Sequence, residues 1–159
     1  MVELGTGQIE WETLGRDRPT VELIFGAQGG FHIWGRLRMV LTEPDVEIAF
    51  RVTSVIDGRV LHSPQWVRRW IDRGSLRGLR PLMDGRFETE AELVLLDLRC
   101  ASELVGRDVI LEGMVRDRAS GRALFSAQRR VEIADEVPTP PPGCASIDAS
   151  VFVDASRSD

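Results

Sequence analysis

The sequence contains no lysine, no asparagine and no tyrosine. All 20 of its basic residues are therefore arginine. The three missing types share AT-rich codons, which points to a GC-rich bacterial genome. Arginine clusters are discounted accordingly as evidence for guanidinium chemistry. Histidine is scarce, with only His32 and His62, and so is cysteine, with only Cys100 and Cys144. Neither pair has chelate spacing, and two isolated cysteines establish neither a zinc site nor a disulfide framework by arithmetic alone. A copper or zinc site would require His32 and His62 to meet in space, with Met39, Met83, Cys100 or a carboxylate completing it. The chain also lacks a Gly-x-Ser-x-Gly elbow, a Walker A loop and a His-Glu-x-x-His helix motif. It reads as a non-enzyme that needs no cofactor. No apolar run approaches the ~18 residues of a membrane span. Met1-Val2-Glu3-Leu4 has neither the basic flank nor the apolar stretch of a signal peptide.

What is present is mostly alternation. The 159 residues fit one domain, with 43% hydrophobic and 28% charged residues. The net charge of −5 gives no general pull toward nucleic acid. Ile9 and Trp11 alternate with Glu10 and Glu12. Val21, Leu23 and Phe25 alternate with Thr20, Glu22 and Ile24. Val46, Ile48, Phe50 and Val52 form another inward set, as do Val109, Leu111, Gly113 and Val115. Phe87, Ala91, Leu93 and Leu95 share a parity, leaving Glu88, Glu90 and Glu92 as a solvated strand face. Ala123, Phe125, Ala127, Val131 and Ile133 close the series. Asp57-Gly58 and Arg116–Gly121 mark hairpins, with Gly121 suited to a left-handed position. The expected fold is all-β, a single immunoglobulin-like antiparallel β-sandwich of about seven to nine strands.

Two segments depart from this pattern. Over Ser63–Gly74, Ser63 suits a cap, Pro64 a first turn and Gly74 a stop, so a short helix is expected near residues 64–72. A strand would also bring Trp66 and Trp70 to one face. Between Arg59 and Arg86 lie seven arginines, at 59, 68, 69, 73, 77, 80 and 86. With the two tryptophans they offer a surface for an anionic polymer or headgroup; otherwise they are a solvated loop, with both tryptophans in the core. The sandwich is assigned to residues 1–136. Residues 137–159, opening with Val137-Pro138-Thr139-Pro140-Pro141-Pro142-Gly143, read as a Pro-rich linker and low-complexity tail.

The stretch Gly26–Met39 carries the strongest functional signal. A glycine-rich turn feeds a strand in which Phe31, Ile33, Leu37 and Met39 face one way and His32, Trp34, Arg36 and Arg38 the other. The second face offers an aromatic platform with imidazole and guanidinium donors. Gln28, Gly29 and Gly30 add a turn whose backbone N–H groups suit an anion. The candidate ligand-binding residues are therefore Gln28, Gly29, Gly30, His32, Trp34 and Arg36, for a protein or a polar or anionic ligand. The leading reading is a non-catalytic binding module; the alternative is metal binding through His32 and His62.

The Gly26-x-Gln28-Gly29-Gly30-x-His32-x-Trp34 pattern, together with Val2–Gly7, Leu96 to Cys100, Gly106–Val109 and the Asp117–Gly121 hairpin, resembles uncharacterised secreted or lipid-anchored bacterial β-sandwich domains. That resemblance implies an extracytoplasmic setting in the cell envelope. In such a compartment a Cys100–Cys144 disulfide is expected, pinning the Pro-rich segment to the sandwich. The resemblance implies no activity.

Overall fold

The computed structural model describes residues 2–26, 30–72 and 75–135. Its strands, in chain order, are β1 Val2–Thr6, β2 Glu12–Thr13, β3 Thr20–Phe25, β4 Phe31–Met39, β5 Asp45–Ser54, β6 Val60–His62 and β7 Val67–Asp72. They continue with β8 Ser75–Arg77, β9 Leu79–Pro81, β10 Phe87–Thr89, β11 Glu92–Leu96, β12 Asp108–Asp117 and β13 Ala123–Asp135. A single 3-10 turn, Ala101–Glu103, precedes β12.

The expectation of an all-β domain holds. Nine strands form one curled, half-barrel path in the order β2-β1-β4-β3-β13-β12-β5-β7-β8, and the other four attach as branches. The sheet is mixed, because β13 runs parallel to β3 with Ile133 opposite Val21. The pairings thus describe one curled sheet in place of two separate antiparallel ones. Strand β4 is the pivot. Along one edge it pairs with β3 and then β1, and along the other with β11 and then β10.

The alternating apolar sets fill the curl. Phe31, Ile33, Leu37 and Met39 of β4 are buried, as are Val46, Ile48, Phe50 and Val52 of β5. Val109, Leu111 and Val115 of β12 join them, with Val131 and Ile133 of β13. Two glycines let opposing walls of the curl touch. A Cβ at Gly35 on β4 would lie 2.7 Å from the Phe50 ring, and one at Gly113 on β12 would lie 2.5 Å from Leu37. Each wall inserts a side chain where the other has none, which is how a curled sheet closes its core without voids.

Both expected hairpins form. Ser54 N–H bonds to Arg59 O across the Asp57-Gly58 turn, and Asp117 N–H bonds to Arg122 O with Gly121 at φ 69°. Three sequence-based expectations are corrected. The predicted helix near 64–72 is strand β7, paired with β5 as Ile48↔Val67, Glu47↔Arg68 and Asp45↔Trp70. Residues 66 and 70 share a face in either geometry, so the spacing was ambiguous; β-branched Val67 and Ile71 and the open edge of β5 favour the strand. Ile9 and Trp11 belong to a loop before the two-residue β2, and Ile9 is 85% exposed.

The third correction has more consequence. Glu88 is fully buried, while Leu93 and Leu95 are 46% and 50% exposed and Val94 and Leu96 fill the core. Arg38 pairs with Glu88, whereas Gly35 pairs with Glu92, so one extra residue sits between β10 and β11. An insertion of one residue reverses the facing of everything after it. The proposed linker and tail, residues 137–159, lie outside the described residues.

Gly35→Ala should destabilise the domain by about 1–3 kcal/mol through overpacking against Phe50, read as a lowered urea midpoint. Adding Phe50→Leu should recover part of that loss, although Phe50→Leu alone destabilises. An unchanged midpoint for Gly35→Ala would show that the two walls do not meet there.

Candidate functional site

The outer side of β4 brings the sequence-selected residues into one row and sorts them by environment. His32 is opposite Ile24 of β3 and Leu95 of β11, and Trp34 is opposite Leu93. Paired residues share a face, so this end of the outer face is apolar around one imidazole and one indole. The His32 and Trp34 rings meet edge to face at 5.3 Å. His32 is buried, and burial pushes its imidazole below the usual value.

The other end of the same face is ionic. Glu3, Arg38, Glu88 and Arg80 lie directly opposite one another across β1, β4, β10 and β9. Glu88 holds Arg38 at 2.8 Å and Arg80 at 2.7 Å, with Arg36 at 3.5 Å. Arg36 also donates to Ile9 O at 3.3 Å. Arg36 is buried, and both it and Arg38 are committed to an internal carboxylate. A buried charge survives only when paired in this way.

A loop from Gly7 to Trp11 covers that ionic end. Thr6 Oγ donates to Trp34 O at 2.8 Å, and Trp11 folds back over Gly5, where a Cβ would lie 2.6 Å from the indole. The Arg38 guanidinium stacks 4.2 Å from the Trp11 ring centre, a cation–π contact. Between this loop and the sheet lies a cleft of about 480 Å³ lined by Ile9, Glu10, Glu12, Glu22, Ile24 and Trp34, among others. Trp34 is half-buried, and its shielded indole N–H has no acceptor among the described residues. Glu10, Glu12 and Glu22 sit in segments the sequence presented as ordinary alternation, which gave no sign that they would converge.

Of the other candidates, Gln28 and Gly29 lie outside the described residues. Gly30 is described, and its carbonyl accepts the Gly26 N–H at 3.0 Å. His62 contacts Leu95 O through Nδ1 at 2.7 Å. Leu95 is also the cross-strand partner of His32, so β11 runs between the two histidines. Among the described residues no group of three or more His, Cys, Asp or Glu is placed to hold a metal ion. Cys100 is not a free thiol; Cys144 lies outside the described residues.

The arginine-rich segment is largely neutralised by local partners. Arg68 pairs with Asp45, Arg69 with Glu92, Arg86 with Asp84 and Glu3, and Arg59 with Glu103. Trp66 and Trp70 lie half-buried beneath Arg116 and Arg68, at 4.0 Å and 4.4 Å, and do not enter the core cluster. No family model matches the chain, and no curated protein matches it.

Two outcomes follow. Glu88→Gln should cost about 3–5 kcal/mol in denaturant unfolding, because it leaves buried guanidinium charge uncompensated. Arg80→Ala, at the exposed end of the same row, should cost under about 1 kcal/mol; equal costs would mean that Glu88 is not the hub. For His32, a folded pKa below the unfolded value of about 6.5 means that the fold favours neutral imidazole. Its stabilisation is present above that value and is lost as pH falls through the folded value. The urea midpoint should drop as the pH is lowered through and below about 6.5, and His32→Phe should flatten that drop.

Proposed function

We propose that this domain is a non-catalytic binding module whose contact surface is the outer face of β3, β4 and β11, continuous with the cleft under the Gly7–Trp11 loop. One observation carries the reading. Leu93 and Leu95 expose about half their surface beside the half-buried Trp34, on a face already rigid at its ionic end. Scattered exposed leucines are ordinary, but a contiguous apolar row next to a formed cleft is a mark of interaction sites. The surface is built on strands, so little ordering cost is incurred on contact.

A library of short peptides and aromatic fragments, screened by two-dimensional NMR, tests this. Hits should shift resonances of Ile24, Trp34, Leu93 and Leu95. The double substitution Leu93→Ser and Leu95→Ser should weaken those hits at least about tenfold, while exposed positions leave stability within about 0.5 kcal/mol. Hits that cluster instead on the Trp66 and Trp70 side would sink the reading.

A further inference from the structure

We infer that the occupant of this face is a protein segment that lays apolar side chains on Leu93 and Leu95 and carries a lysine or arginine into the cleft beside Trp34. The inference rests on the binding-module reading and names the partner's chemistry. It begins from charge. Among the described residues, the cleft lining includes three carboxylates, Glu10, Glu12 and Glu22, and no basic side chain. Glu10 and Glu12 are exposed and make no ion pair among the described residues. Arg36 reaches Ile9 O at the edge of the cleft and is also held by Glu88, and Arg38 is held between Glu88 and the Trp11 ring. The charged side chains among the described lining residues are therefore all acidic, although the strand beneath them is arginine-rich.

The tryptophan adds a second preference. An indole face attracts a cation, more so when partly shielded from water, and Trp34 is the only aromatic side chain among the described residues that line the cleft. Ile9 and Ile24 flank it and suit the aliphatic stem of a long basic side chain. Size argues for a segment over a small cation. Leu93 and Leu95 are two residues apart on β11, about 7 Å along the strand, and Ile24 is two strands away, about 10 Å. A lone ammonium ion filling the cleft would leave both leucines in water. A chain running across the three strands covers them and reaches the carboxylates with one side chain.

The test uses a peptide of alternating leucine and lysine and its leucine–glutamate counterpart, titrated into the full chain and followed by NMR shifts at Trp34, Leu93 and Leu95. The lysine peptide should bind this face about three- to tenfold more tightly, as expected for rim charges. Glu10→Lys with Glu12→Lys should reverse the order, and an unchanged unfolding midpoint will show that the variant remains folded. Equal affinity for both peptides at this face overturns the charge assignment and leaves the binding surface standing. Failure of both peptides to bind, or shifts elsewhere on the sheet, overturns the inference outright. Preference for the lysine peptide that survives the charge reversal overturns it too, because the carboxylates would then not be its source.

Discussion

The close approach of Gly35 to Phe50 and of Leu37 to Gly113 fixes everything else in this domain. It locks the inner face of β4 against β5 and β12, so that strand can neither slide by one residue nor rotate. Slippage by one residue would drive His32, Trp34 and Arg36 into the core and expose Phe31, Ile33 and Leu37. The outer row is thus determined by packing on the opposite side of the same strand.

Polar order along the outer row is a second consequence. At one end the Glu3, Arg38, Glu88 and Arg80 row alternates sign across four strands and pins their mutual register. The pairing is worth more in specificity than in net stability, since desolvating Glu88 offsets much of its Coulombic gain. At the other end, one extra residue between Thr89 and Glu92 turns Leu93 and Leu95 outward. A single strand therefore joins an ionic cluster to an exposed apolar patch, with Trp34 at the boundary.

The sequence made much of this legible and hid the rest for identifiable reasons. The inward sets on β4, β5 and β12 could be read because strict period-two alternation has one structural solution. Both hairpins could be read from their glycines. The β7 strand could not, because residues four apart coincide on a face in helix and strand alike. The facing of Leu93 and Leu95 was misjudged because a one-residue insertion leaves no mark in composition. The run Leu93-Val94-Leu95-Leu96, apolar on both parities, is the one local signal that an apolar side chain faces outward there. Parallel pairing of β13 with β3 joins segments more than a hundred residues apart, and no local pattern encodes it.

The candidate site shows the same division. His32, Trp34 and Arg36 do lie on one face, as alternation required, but their chemistry is set by neighbours from distant strands. The strand contributes two arginines, which alone suggest an anionic ligand. Glu88, from β10, pairs with both, while the Gly7–Trp11 loop and β3 bring in carboxylates that alternation alone would have left scattered. Surface charge depends on what the fold brings together, and here the described lining of the cleft is acidic although the strand beneath it is basic. The fold turns both arginines of that strand toward the buried Glu88 and leaves the exposed Glu10 and Glu12 at the cleft.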